Sequence, residues 1–365
     1  MPLTYSTGLN RAPIPNNLKR EKPMNLKRTY YELKAIIDNL DFSSLWTGFK
    51  PLKFALYNDE ECFFNGQFIP KTDAFIANTS IQYEGEYIAI WYLTQEVDMD
   101  ILASKIIHEM FHGFQMLHQE SRFPDDLEAL ITYEYSKDNL SIKLTENNLI
   151  KQLLKDFDPG QFNKLLYLRH YRLLHFPFEY LYESAVEQIE GTASFVELNT
   201  LLQIAPDKYR QQIKEMVSKI TEPSNLFPIR IISYSIGALI FLLLKKHQLY
   251  SFEFFSDETI TTSMLKGSPI YSDALPIFPE MTNLVDTYFS ESALIIEAAL
   301  SKDCCVLSGN YKLLGLNVYD AKYYKGHIIS THFLMYQDGE SSAVIKGDFV
   351  ICLSSGKTIQ KVYKI

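Results

Sequence analysis

The stretch from Ile101 to Gln119, ILASKIIHEMFHGFQMLHQ, decides how the rest of the chain is interpreted. Its apolar residues recur at intervals of three and four, which predicts one amphipathic helix with Asp100 as its N-cap. His108 and His112 are four residues apart, so a helix places both imidazoles on one face, where they can bind a single ion. Glu109 is rotated by about 100°, so its carboxylate can reach a water molecule on that ion. This HExxH spacing is typical of zinc hydrolases with the glutamate as general base.

The composition predicts a folded protein and argues against several kinds of partner. The 365 residues are 47% hydrophobic and 14% aromatic, enough to bury a sizeable core. The formal net charge is −9 and the basic residues are scattered, so we expect no nucleic-acid partner. The four cysteines show no CxxC spacing, and the first residues contain no apolar segment of the kind found in signal peptides. We therefore expect a cytoplasmic location.

Hydrophobic periodicity predicts an α+β fold. A small N-terminal sheet is expected from strands at 52–56, 74–77 and 86–93, after an extended arm at 1–28 and a helix at 30–40. The middle of the chain reads as helical, with predicted helices at 127–137, 149–157, 162–174, 180–202, 208–220, 231–247 and 282–300. Turn residues at 325–326, 338–339, 346–347 and 355–356 then predict a C-terminal antiparallel β module. The predicted domains are 1–52 (arm and helix), 53–302 (sheet 53–98, helices 99–302) and 303–365 (the β module).

The most apolar run is IISYSIGALIFLLL, residues 231–244. It is shorter than the roughly 20 residues that a membrane span needs, and Arg230, Lys245 and Lys246 flank it. We therefore expect a buried helix and no membrane span. The alternative is a peripheral membrane or partner-binding protein that exposes this apolar face.

A catalytic zinc ion needs a third protein ligand. The candidates after the motif are His118, His170, His175, Glu179, Glu183, Glu187 and Glu190. The histidines are explained by solvation or packing, whereas the last three glutamates follow i, i+4, i+7 spacing and, together with Ser194, share one helix face. Such buried carboxylates repel each other unless a cation or a cationic side chain lies among them. Gly191 within this helix indicates a close approach by another backbone or by a metal site.

Two further segments resemble one enzyme family. IEGTASFVE, residues 189–197, is similar to the NEGFASYxE segment of the aminopeptidase-N-like gluzincins, zinc metallopeptidases that bind the metal with HExxH and a downstream glutamate. The resemblance implies Glu190 as the third ligand. YSIGAL, residues 234–239, resembles that family's YxKGAL segment and implies that Tyr234 hydrogen-bonds the oxyanion. A core tyrosine bonded to a backbone carbonyl is the alternative explanation of Tyr234.

The resemblance implies a zincin-like catalytic domain over 53–302 and a zinc-dependent peptidase, that is, a hydrolase acting on a peptide or protein. The family's GxMEN segment is absent, so the resemblance does not extend to aminopeptidase specificity. We expect Glu187, Glu183 or both to orient a ligand imidazole. The alternative function is a catalytically silent zinc-binding protein that serves as a binding or regulatory module.

The strand at 86–93 directly precedes the motif helix. Its edge could pair with an extended peptide backbone, which would give affinity through main-chain hydrogen bonds. The alternative is that Ile88, Ile90 and Trp91 simply pack beneath the helix.

Overall fold

The computed structural model describes residues 25–250, 257–267, 275–276, 278–302 and 304–365. Most of the predicted N-terminal arm, residues 1–24, lies outside them. The described chain divides into two compact units whose segments alternate along the sequence. The first unit takes residues from 1–122, 188–216 and 237–257, and the second from 123–187, 217–236 and 258–365. The predicted catalytic domain therefore contributes to both units, and the predicted three-domain division stays a prediction.

The observed elements confirm the α+β class. The helices are α1 Leu26–Ile37, α2 Phe42–Leu45, α3 Met99–Leu117, α4 Asp126–Thr132, α5 Lys137–Lys155, α6 Pro159–His175, α7 Pro177–Val186, α8 Thr192–Ile204, α9 Pro206–Thr221, α10 Ile229–Lys246, α11 Ile260–Ser263 and α12 Pro279–Ser301, with a π-helical turn at Glu187–Gly191 and a 3₁₀ turn at Pro223–Leu226. The strands are β1 Lys53–Tyr57, β2 Glu61–Phe64, β3 Gln67–Pro70, β4 Thr79–Tyr83, β5 Glu86–Tyr92, β6 Cys305–Leu316, β7 Lys322–Tyr324, β8 His327–Ser330, β9 Phe333–Asp338, β10 Ser341–Lys346, β11 Phe349–Ser355 and β12 Thr358–Lys364.

The sheet of the first unit has the strand order β3-β2-β1-β5-β4. Strands β1 and β5 pair in parallel and the other neighbours are antiparallel. Because β5 is bonded on both sides, the prediction that its edge pairs with a peptide is wrong. Ile88 and Ile90 are fully buried, which supports the packing alternative. The predicted strand at 74–77 is absent, and β2, β3 and β4 were not predicted.

The motif helix α3 lies against this sheet and against α8. Its N-cap is Asp98 rather than the predicted Asp100, because the Asp98 carboxylate accepts hydrogen bonds from the backbone amides of Asp100 and Ile101 at 3.1 and 3.2 Å. Gly113 permits the close packing. A Cβ atom there would lie 2.7 Å from Ser80 Oγ on β4, nearer than real Cβ contacts allow.

The second unit contains the C-terminal β module, which is confirmed. Seven strands form an antiparallel sheet in the order β10-β9-β6-β12-β11-β8-β7. Three of the four predicted turns, at 325–326, 338–339 and 355–356, connect strands that pair in the sheet. The turn at 346–347 connects β10 to β11, which do not pair with each other. The core residues of this sheet pack against Leu127, Leu130 and Ile131 of α4. The module therefore packs on helices of its own unit.

Helix boundaries differ most from the prediction around α5. We expected helices at 127–137 and 149–157, whereas α4 ends at Thr132 and α5 runs over Lys137–Lys155. The α5 N-cap is Ser136, whose hydroxyl accepts from the Asn139 amide at 3.3 Å. Polar side chains, among them Lys143 and Glu146, are completely buried on α5. They interrupt the apolar pattern on which the prediction depended.

Helix α10 contains the most apolar run. Most residues from Ile232 to Leu244 are buried, as expected. Within the described residues, we find no helix that combines the length and the apolar character needed to cross a bilayer.

Buried charges of both signs form a network among the helices of the second unit. Three cationic and three anionic side chains in it are at most 1% exposed, namely Lys143, Arg169, Arg172, Glu146, Glu183 and Glu187. Lys143 lies 2.7 Å from Glu183, and Arg172 also binds Glu183. Burial alone would raise the pKa of the Glu183 carboxyl, but the charges of Arg172 and Lys143 lower it to about 2. Glu183 is therefore ionised near neutral pH.

We predict that this network makes the stability of the protein sensitive to acid. The pKa of Glu183 is lower in the folded state than in the unfolded chain, so its contribution is present above about pH 4.5 and is lost as the pH falls towards 2. The lost free energy of unfolding is on the order of 3 kcal/mol. Urea unfolding should therefore show that Glu183→Gln lowers the free energy of unfolding at pH 7, and that it lowers it by less at pH 3. The exposed substitution Glu128→Gln is the control, and an equal difference at both pH values would contradict the prediction.

Candidate metal centre

Three side chains of the first unit converge as a group able to hold a metal ion. The Nε2 atoms of His108 and His112 are 3.2 Å apart. The Oε2 atom of Glu190 lies 3.3 Å from Nε2 of His112 and 3.8 Å from Nε2 of His108. A tetrahedral zinc ion with bonds of about 2.0–2.1 Å separates its ligand atoms by about 3.3–3.4 Å. The three atoms therefore fit one face of such a coordination sphere.

Glu197 fixes the orientation of the His108 ring. Its Oε2 atom lies 3.1 Å from His108 Nδ1, and its Oε1 atom lies 2.8 Å from Lys105 Nζ. Burial would raise the pKa of Glu197, but the charge of Lys105 and the hydrogen bond with His108 lower it to about 2. The ionised carboxylate can only accept, so Nδ1 of His108 carries the proton. The lone pair of Nε2 is thereby left for an ion.

Gln115 does the same for His112. Its Oε1 atom lies 2.8 Å from His112 Nδ1. Its Nε2 atom donates to the carbonyl oxygen of Ile189 at 2.9 Å, which fixes the orientation of the amide because a carbonyl cannot donate. Nδ1 of His112 therefore carries a proton, and both histidines direct their Nε2 atoms to the same point, where an ion would bind.

The electrostatics of the site favour a cation. Burial lowers the pKa of His108, but hydrogen bonds with Glu190 and Glu197 and the charge of Glu109 raise it to about 9. Glu109 is 3% exposed and follows His108 directly on α3. Three buried carboxylates around two imidazoles create a strongly negative environment, which a divalent ion would neutralise. The residues present therefore fit a metal ion.

A π-helical turn places Glu190 in the site. The turn spans Glu187–Gly191 and joins α7 to α8. Such turns insert an extra residue into a helix and are frequent at functional sites. A Cβ atom on Gly191 would lie 2.7 Å from Gly237 Cα and 3.1 Å from Gly237 C, both backbone atoms of α10. The predicted close approach at Gly191 is thus confirmed, and the approaching group is a backbone.

The two glutamates that precede Glu190, namely Glu183 and Glu187, have other partners. In the second unit, Arg169 Nη2 donates to Glu187 Oε2 at 2.5 Å, and Glu183 accepts from the Tyr133 hydroxyl at 2.6 Å. Both carboxylates thus belong to the buried charge network. A regular helix would give Glu183, Glu187 and Glu190 one face, but the π-helical turn changes the phase between them.

The residues that orient the imidazoles were not among the predicted ones. Glu197 lies seven residues after Glu190, two helical turns along α8, and Gln115 lies three residues after His112. Both spacings bring side chains to one helix face, so the periodicity of 3.6 could have identified them.

Three of the remaining candidates, His118, His175 and Glu179, have ordinary local contacts. His118 Nδ1 lies 3.0 Å from the carbonyl oxygen of Phe114, one turn earlier in α3. His175 stacks on Tyr171 with ring centroids 4.0 Å apart. Glu179 accepts a hydrogen bond from the backbone amide of Glu134 at 3.0 Å. These contacts agree with the packing roles expected for such side chains.

Tyr234 belongs to the second unit. Its hydroxyl lies 3.3 Å from the hydroxyl of Tyr319, and the guanidinium of Arg230 lies 5.5 Å from its ring centroid. Arg230 in turn donates to Asp126 at 2.8 Å. The oxyanion role of Tyr234 stays a prediction.

No protein-family model, curated protein or solved structure matches this chain. The resemblance to the gluzincins therefore depends on three short motifs. The geometry of His108, His112 and Glu190 stands independently of it.

We predict that Gly191→Ala disrupts the metal centre. Alanine favours a helix over glycine by about 1 kcal/mol, but here its methyl group would collide with the Gly237 backbone, and such overpacking typically costs about 1–3 kcal/mol. Urea unfolding should show lower stability, and competition with a chelator should show weaker zinc binding. Gly160→Ala is the control, because a Cβ atom on that exposed helical glycine would approach the exposed Asp158 carboxylate at 3.1 Å and no backbone of another helix. Unchanged zinc affinity in Gly191→Ala would contradict the prediction.

Proposed function

We propose that this chain is a zinc-dependent peptidase of the gluzincin type. The observation that carries the proposal is the convergence of His108 Nε2, His112 Nε2 and Glu190 Oε2 within 3.8 Å, with Glu109 buried beside them. Two imidazoles and one carboxylate are a ligand set of catalytic zinc sites, and three protein ligands leave one coordination position for water or substrate. A structural zinc site would more often have four protein ligands.

The proposed chemistry is hydrolysis of a peptide bond. Zinc, when bound, would lower the pKa of a water molecule towards neutrality and polarise the carbonyl group of the substrate. Glu109 accepts the proton of that water and returns it to the leaving amine, which makes it the general base and then the general acid. His108 and His112 would hold the ion through Nε2, while their Nδ1 atoms are bonded to Glu197 and Gln115. Tyr234 donates a hydrogen bond to the oxyanion, as the resemblance implies.

The proposed substrate is a peptide or a protein, and the proposed location is the cytoplasm. A metal ion held by the HExxH histidines and Glu190 would act on the amide group of the substrate, which all peptides share. The absence of the GxMEN segment removes the feature that would hold a free amino terminus in the related aminopeptidases. Aminopeptidase specificity is therefore not part of the proposal.

We predict that Glu109→Gln separates metal binding from catalysis. Glutamine keeps the shape of the side chain but cannot take a proton, so turnover of a mixed peptide library should fall by at least about a hundredfold. Zinc should remain near one equivalent in both proteins, because Glu109 is not a ligand. Elemental analysis and mass spectrometry of the digested library provide the two measurements. Zinc without cleavage in the unmutated protein would contradict the peptidase and leave a catalytically silent zinc-binding protein.

We predict that Tyr234→Phe lowers kcat by about a hundredfold, since it removes the proposed oxyanion donor. Zinc content should not change, because Tyr234 is not a ligand. Tyr319→Phe is the matched control, as it removes the neighbouring hydroxyl 3.3 Å away. Equal kcat values for Tyr234→Phe and the unmutated protein would sink the oxyanion role while leaving the metal centre intact.

A further inference from the structure

The side-chain amide of Gln115 connects the two helices that carry the metal ligands. It is 1% exposed and contacts His112 Nδ1 at 2.8 Å, the Ile189 carbonyl at 2.9 Å and Thr192 Oγ1 at 3.0 Å. All of these groups belong to the first unit. We propose that Gln115 is a positioning residue that sets the tautomer of His112 and the place of Glu190 together. This inference rests on the proposed metal site but not on peptide hydrolysis.

The amide has a defined direction in this network. The Thr192 hydroxyl donates to the Gln188 carbonyl at 2.5 Å, so towards Gln115 it acts as an acceptor. The Ile189 carbonyl is also an acceptor. The NH₂ group of Gln115 therefore faces both of them, and its carbonyl oxygen faces His112. Each end of the amide thus has the partner that its chemistry requires.

The contact with Ile189 bears directly on the third ligand. The carbonyl carbon of Ile189 and the backbone nitrogen of Glu190 form one planar peptide group. A hydrogen bond to that carbonyl therefore restrains the backbone from which the Glu190 side chain extends. It also satisfies a buried polar group within the π-helical turn, where the regular helical hydrogen bonds are interrupted.

Glutamine is the side chain that meets both demands at this length. A glutamate could accept from His112 Nδ1, but its second oxygen would face the Ile189 carbonyl without a proton between them. A methionine fills a similar volume and makes neither hydrogen bond. A lysine or an arginine only donates, so it could not accept from His112. The motif of this chain is therefore HExxHxxQ, joined to Glu190-Gly191-Thr192.

The test measures metal binding in three variants. Gln115→Met, which loses both roles, should lower zinc affinity by about 10–100-fold in competition with a chelator. Gln115→Glu, which keeps the acceptor for His112, and Thr192→Val, which loses one acceptor, should each lower it by about tenfold. The visible spectrum of bound Co²⁺ should change in the same variants, because it reports the ligand geometry. Hydrogen exchange at 187–192 should become faster in the Gln115 variants.

Thr200→Val is the matched control. Thr200 is completely buried on α8, and its hydroxyl donates to the Val196 carbonyl one turn earlier, at 2.9 Å. It should keep the zinc affinity and the Co²⁺ spectrum of the unmutated protein. If Gln115→Met failed to fold, Thr192→Val would still test the same connection by a smaller change.

Three outcomes distinguish this inference from its alternatives. If Gln115→Met and Thr192→Val kept the zinc affinity and the Co²⁺ spectrum of the unmutated protein, the inference would be overturned. Equal weakening in those variants and in Thr200→Val would also overturn it, because the effect would then be general destabilisation. A protein that binds zinc, shows the predicted order of affinities and cleaves no peptide would support the inference and contradict only the proposed hydrolysis.

Discussion

The first unit is organised around two imidazole lone pairs and one carboxylate oxygen that converge within 3.2–3.8 Å. These groups are all electron-rich, so their approach in a buried place is unfavourable without a cation or a proton between them. The structure concentrates local constraints on this point. Gly113 lets α3 pack on the sheet, and Gly191 lets α8 approach α10. Each is a position where a single methyl group would move a ligand-bearing helix.

The glutamates between α7 and α8 serve two different purposes. Glu183 and Glu187 neutralise Lys143, Arg169 and Arg172, whose buried charges would otherwise be left uncompensated. Glu190 instead faces the imidazoles of His108 and His112, a set of groups that can bind a metal. The π-helical turn begins at Glu187, between Glu183 and Glu190, and its extra residue changes the helix face on which the following side chains lie. One acidic stretch of sequence thus supplies both a buried charge network and a candidate metal ligand.

Much of this could be predicted from the sequence because it depends on local periodicity. The α+β class, the motif helix, the C-terminal antiparallel sheet and the approach at Gly191 follow from spacing and turn residues. The place of β5 inside its sheet could not be predicted in this way, since strands that are distant in sequence leave no local pattern when they pair. The π-helical turn was also hidden, because an inserted residue cannot be seen in a continuous helical pattern. The buried charges of α5 concealed one helix by interrupting its apolar repeat.

The most direct test of the metal centre is X-ray absorption spectroscopy at the zinc edge of the purified, zinc-loaded protein. A site built from His108, His112 and Glu190 predicts only nitrogen and oxygen neighbours at about 2.0–2.1 Å, with outer-shell scattering from two imidazoles. A sulfur shell at about 2.3 Å, or the absence of imidazole scattering, would contradict the account.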